Sequence, residues 1–204
     1  MNSIFAPYLR KFILVFFDDI LVYSPDLQSH LEHLRTALEI LSTHQLAAQF
    51  CKCSFGCIQV EYRGHIVTAD GVIADSAKTQ CMREWPIPQD IKALRGFLGL
   101  MGYYRRFVRG YGEIAKPLTD LLKKDAFCWN DEAATAFEKL KMAMCSVPVL
   151  ALPDFSKPFV LETDASTKAI GAIFMQQRRP ISFLSQVLGP KNQGLSIYEK
   201  SYCL

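Results

Sequence analysis

The chain has 204 residues, of which 50% are hydrophobic and 12% aromatic, with a formal net charge of +3. That length allows one or two domains, and that apolar content excludes an intrinsically disordered chain. So small a net charge does not mark a nucleic-acid binder; only local clustering of cations can do that.

The opening MNSIFAPYLRK has no basic stretch followed by a long apolar one, so no secretory signal is read there. FILVFF at 12–17 and ILVYS at 20–24 flank Asp18 and Asp19. Two short β-rich runs around a two-residue polar break predict a β-hairpin. Runs without polar alternation predict burial on both faces. FILVFF is also the longest apolar run, far short of the roughly 18 residues that a membrane span needs, so no membrane partner is expected.

Pro25 and Asp26 open a helix in which Leu27, Leu31, Leu34, Leu38 and Leu41 fall on one stripe. Residues 46–53 and 58–68 read as strands, and Ala69-Asp70-Gly71 as a turn. Cys51, Cys53 and Cys57 lack paired C-x2-C spacing, and only His65 follows nearby. They read as small buried thiols rather than a metal site. Seven cysteines without a signal point to reduced thiols in an intracellular compartment.

From Ser76 to Phe127 the pattern is helical. One short helix runs from Ser76 to Trp85 before Pro86 and Pro88. Ile91, Leu94, Leu98 and Met101 mark the apolar face of a second. A third covers 113–123. Asn130 or Asp131 caps a fourth, with Ala134, Phe137, Leu140 and Met144 inward. The three prolines of 146–158 make that stretch the best linker, and strands follow at 158–164, 168–176 and 180–186. Gly171 and the QQRR of 176–179 point to tight connections. The fold class is α+β.

Two adjacent carboxylates at the tip of an apolar hairpin repel each other, and a divalent cation relieves that cost. Mg²⁺ takes one or two carboxylates plus substrate phosphates, which suits nucleotidyl transfer. A polar turn is the other reading of Asp18 and Asp19 taken alone. YYRRFVRGY at 103–111 interleaves four aromatics with Arg105, Arg106 and Arg109 at near-helical spacing. Rings inside and arginines outside would suit a duplex backbone.

FFDDILVYS at 16–24 closely resembles the active-site hairpin of gypsy-type LTR retrotransposon polymerases. The resemblance continues in order through EYRGHIV at 61–67, REWPIP at 83–88, LRGFLGLMGYYRRFV at 94–108, PLTDLLKK at 117–124 and VLALPDF at 149–155. FVLETDAS at 159–166, RPISFLSQVL at 179–188 and YEK at 198–200 complete it. It implies a reverse transcriptase–ribonuclease H polyprotein: the C-terminal part of the palm in residues 1–75, thumb and connecting helices in 76–128, and the start of a ribonuclease H-like domain in 129–204.

The resemblance also implies roles. Asp18 is a catalytic metal ligand and Asp19 its partner, with Mg²⁺ as cofactor. Arg63 and His65 fall where the family grips the primer terminus. Arg63 stands where Leu is usual, and His65 reads equally as a phosphate contact or a structural histidine. Arg105, Arg106 and Arg109 would hold an RNA–DNA hybrid or template–primer. Asp164 resembles the first ribonuclease H metal ligand. Ser201 stands where the next carboxylate belongs, and Glu199 is out of register for it.

A polymerase of this type needs a further Asp on an earlier palm strand and fingers over the nucleotide, and ribonuclease H needs two later carboxylates; none falls within 1–204. The chain is therefore expected to be a fragment of an RNA-directed DNA polymerase with ribonuclease H, a family of two-metal nucleotidyl transfer and hybrid RNA cleavage, and inactive alone; the alternative is a non-catalytic hybrid-binding remnant or an assembly partner of the missing polymerase portion. Its expected location is a cytoplasmic particle or the nucleus.

Overall fold

The computed structural model describes residues 1–166, 169–189, 192, 194 and 199. It contains two compact units, Met1–Tyr62 and Arg63–Leu204. Helices and strands are mixed throughout, as an α+β chain requires.

In the first unit β1 (Ile13–Phe16) and β2 (Asp19–Val22) pair antiparallel, with Ile13 opposite Val22 and Phe16 opposite Asp19. The connection is the two residues Phe17 and Asp18, and Phe17 has a φ of 51°. Such a left-handed turn matches the twist of the flanking strands. Asp26 caps α1 (Leu27–Thr43) by accepting the Ser29 N–H at 2.9 Å. The core gathers Phe5, Ile13, Ala37 and Leu41, with Val15, Ile20 and Val22 packed against it.

Three expectations fail in this unit. The hairpin is not buried on both faces: Leu14 and Phe17 are exposed. A continuous apolar run does not reveal how many layers cover it. The leucine stripe of α1 faces inward only in part: Leu41 is buried and Leu34 half-buried, while Leu27, Leu31 and Leu38 are exposed. The spacing defines a stripe, but the sheet meets the helix along the neighbouring line through Ala37, Ile40 and Leu41. Residues 46–53 form a 3-10 turn at Phe50–Lys52 rather than a strand, with Cys51 and Cys57 exposed and Cys53 half-buried. The run has no alternation of buried and exposed residues to place against a sheet. The thiols are thus not core residues. Strand β3 (Gln59–Tyr62) ends the unit.

The second unit begins with the β4 (His65–Thr68) and β5 (Gly71–Ala74) hairpin. Helices α2 (Ser76–Arg83), α3 (Ile91–Tyr103), α4 (Tyr111–Asp120) and α5 (Asp131–Cys145) follow, capped by Asp75, Asp90, Gly110 and Asn130 in turn. Their shared core holds Met82, Leu94, Phe97, Met101, Leu118 and Leu140, all fully buried. Antiparallel strands β6 (Val160–Ala165), β7 (Ala169–Gln176) and β8 (Arg179–Val187) make the last sheet.

The proline-rich stretch 146–158 is irregular but tied down. Leu150 exchanges backbone hydrogen bonds with Val72 at 2.8 and 3.0 Å. The buried Gln176 amide donates to the carbonyls of Asp154 and Lys157 at 2.8 and 3.0 Å. QQRR is a tight turn, with Gln177 and Arg178 at φ 52° and 62°. Gly171 is not a connection. It lies mid-strand, paired with Asp164 on one side and Ser185 on the other. Sheet and helices are joined where the Gly112 N–H donates to Ser185 Oγ at 3.0 Å.

Candidate nucleic-acid interface and carboxylate sites

Arg63 and Gly64 lead into β4 with φ of 54° and 68°. A non-glycine residue resists that conformation, so something must hold the turn. The holding groups come from the end of α3. Tyr103 Oη donates to the Arg63 carbonyl at 2.6 Å, and Tyr104 Oη donates to the Gly64 carbonyl at 2.7 Å. A Cβ on residue 64 would lie 3.0 Å from Tyr104 Oη, so glycine suits both the φ and the space.

His65 sits in an aromatic cage beside this turn. Its ring stacks on Tyr103 at 5.3 Å and 6°, meets Tyr104 edge-on at 5.3 Å, and tilts against Phe107 at 5.5 Å. Its Nδ1 is buried with no hydrogen-bond partner. Burial lowers its pKa below the ordinary histidine value, and the charges of Arg63 and Arg106 push the same way. The imidazole is therefore biased towards its neutral form.

Helix α3 stops at Tyr103, and Arg105–Phe107 is a 3-10 turn rather than a continued helix. Tyr104 and Phe107 are buried, while Arg105, Arg106 and Arg109 are exposed. The tighter turn suffices to put rings inside and arginines outside. Tyr111 opens α4, and burial pushes its hydroxyl up to about 12, with Arg105 opposing. The structure thus brings Arg63, His65 and Arg106 together around Tyr103. The sequence did not single out the tyrosine hydroxyls. The visible signal was the aromatic pair itself; its partners lie 40 residues away.

The predicted carboxylates stand elsewhere. Asp18 and Asp19 are exposed in the first unit, one in the hairpin connection and one opening β2. Asp164 lies near the end of β6, exposed and opposite Gly171. None of the three side chains makes a hydrogen bond or ion pair among the described residues. The oxygen donors Asp18 and Asp19, uncommitted and on one accessible turn, fit a hard divalent ion. No cluster of three or more metal-ligating side chains occurs among the described residues. Two residues past Asp164, Ser166 Oγ donates to Glu113 at 3.1 Å. Ser201, with Tyr198 and Lys200, lies outside the described residues.

Residues 129–203 match the RNase H-like domain found in reverse transcriptase. Over 202 residues the chain is 43% identical to the Pol polyprotein of transposon 297 from Drosophila melanogaster, covering 98% of this chain and 19% of that protein. It is 33% identical over 213 residues to the Pol polyprotein of transposon gypsy from the same organism, covering 98% and 21%. The chain belongs to the retrotransposon Pol family.

It spans about a fifth of the length of these Pol polyproteins. An uncharacterized mitochondrial protein of Arabidopsis thaliana is 52% identical over 132 residues, which are 64% of this chain and 84% of that protein. The fold matches the foamy viral protease-reverse transcriptase in complex with RNA/DNA hybrid, with a TM-score of 0.86 and 23% identity over 99% of this chain and 28% of that one. The form of that protein in complex with double-stranded DNA matches equally, at 0.86 and 24%, over 98% and 36%. This Pol segment therefore has the reverse transcriptase fold with an RNase H-like part. Chemistry in such domains depends in general on divalent metal.

Proposed function

We propose that this Pol segment holds an RNA–DNA hybrid or template–primer on the surface made by the Arg63–Gly64 turn and Arg105, Arg106 and Arg109. The observation that carries this is the turn itself: two tyrosine hydroxyls fix it beside exposed arginines. Fixed backbone and guanidinium donors contact phosphates without reading bases. Structural relatives bound to RNA/DNA hybrid and to double-stranded DNA support the same reading.

In this reading residues 1–75 serve as part of the palm, 76–128 as thumb and connection, and 129–204 as the ribonuclease H-like part. Asp18 and Asp19, and separately Asp164, would hold Mg²⁺. The metal would supply charge stabilisation at a transferring phosphate. The carboxylates of this chain orient that ion, and the turn and arginines position the duplex.

The exposed stripe of Leu27, Leu31 and Leu38 on α1 favours a second role. Such a patch suits burial against the remaining polymerase portion. The six described cysteines form no disulfide, which supports an intracellular site, in a cytoplasmic particle or the nucleus.

Filter binding and primer extension in the same Mg²⁺-containing samples test the proposal. The expected result is salt-sensitive hybrid binding without extension. Absence of binding would overturn the surface assignment. Extension abolished by Asp18→Asn would overturn the expectation of inactivity.

A further inference from the structure

We propose that Tyr103 and Tyr104 are positioning residues that set the peptide planes of the Arg63–Gly64 turn for a nucleic-acid phosphate. This rests on the reading of that turn as a duplex contact. The bonds of the turn are trans, like every other peptide bond described. In a planar trans peptide the carbonyl and the N–H point in opposite directions. Drawing the Arg63 carbonyl to Tyr103 Oη therefore turns the Gly64 N–H to the far side of the turn. Tyr104 Oη holds the Gly64 carbonyl in the same way, which fixes the next peptide plane. A backbone amide turned outward in a turn is a donor to an anion. The two hydroxyls also occupy the carbonyl oxygens that would otherwise repel a phosphate.

The two tyrosines differ in what else they support. Tyr104 is 1% exposed and belongs to the core, so its hydroxyl and its packing act together. Tyr103 is 45% exposed, with its ring lying flat on His65. Removing the Tyr103 hydroxyl keeps that stacking and leaves the core intact. An effect of Tyr103→Phe on binding therefore reports the turn.

The test is a double-mutant cycle on hybrid binding with Tyr103→Phe in the wild-type and Arg63→Ala backgrounds. Loss of one such hydrogen bond should weaken binding about fivefold in the wild type. In the Arg63→Ala background the same loss should appear, because the Arg63 carbonyl and the Gly64 N–H that Tyr103 positions are backbone groups and survive removal of the Arg63 side chain. The Gly64 backbone amide resonance should shift in both Tyr103→Phe and Tyr104→Phe, as the peptide planes on either side of Gly64 are released. No weakening in either background, or a weakening that vanishes with the Arg63 side chain, would overturn the backbone-positioning role while leaving the surface assignment in place. Arg63→Ala binding as tightly as wild type would overturn that assignment and this proposal together. An unmoved Gly64 amide resonance in both tyrosine variants would also overturn the proposal.

Discussion

The arginine surface predicts how binding responds to salt. Arg105, Arg106 and Arg109 are exposed, and Arg63 lies on the adjoining turn. Each phosphate neutralised by a cation contributes about −0.9 to the slope of log affinity against log salt. Four contacts give a slope of about −3.6, so raising salt from about 50 to about 200 mM costs about 150-fold in affinity. Arg106→Ala leaves about −2.7 and about a 40-fold loss over the same range. Arg105→Glu with Arg106→Glu should flatten the slope to about −1.8 or less, as well as weakening binding at low salt. The assay is filter binding of a short RNA–DNA hybrid across a salt series. Arg83 provides the control, since it lies at the end of α2 with its Nε donating to Cys145 Sγ. Arg83→Ala should leave the slope unchanged. A slope identical in the wild type and the double charge-reversed variant would refute the assignment of those arginines to phosphates.

Two further predictions concern stability. The folded-state pKa of His65 lies below its ordinary value of 6.5, so the unfolded chain takes up that proton first as the pH falls. Its contribution is complete above 6.5 and is lost as the pH drops below it. Urea midpoints at about pH 8 and about pH 5 should therefore converge less for wild type than for His65→Gln, and parallel losses would count against the caged histidine. Gly71 has a φ of 141°, and a Cβ there would stand 2.1 Å from the Leu150 carbonyl oxygen. Gly71→Ala should destabilise by about 3 kcal/mol through backbone strain and loss of the Val72–Leu150 pairing, read as a lower urea midpoint. A loss below about 0.5 kcal/mol would refute that account.

Much of the fold was legible because its signals are local. Asp26, Asp75, Asp90 and Asn130 each cap a helix within one turn of chain. Leu94, Met101, Phe137, Leu140 and Met144 repeat at helical spacing and are buried. The failures have a different origin. Periodicity located the leucine line of α1, but only the position of the β1–β2 hairpin decides that Ala37 and Leu41 face inward. The run from Leu46 to Cys53 looked strand-like by residue type, but it has no pairing partner among the described residues. At the candidate site, Asp18, Asp19 and the arginines were visible as residue types at fixed spacings. The role of the Tyr103 and Tyr104 hydroxyls was not, because it depends on contacts across 40 residues.

The carboxylates carry a further consequence. Asp18 and Asp19 are exposed and uncommitted among the described residues, and no larger cluster of ligating groups joins them there. Two exposed carboxylates hold a hydrated Mg²⁺ loosely, because water competes for every remaining position. On the proposed reading substrate phosphates fill those positions, so bound nucleic acid should tighten Mg²⁺ binding and bound Mg²⁺ should tighten nucleic-acid binding. Linkage requires the two effects to be equal in size.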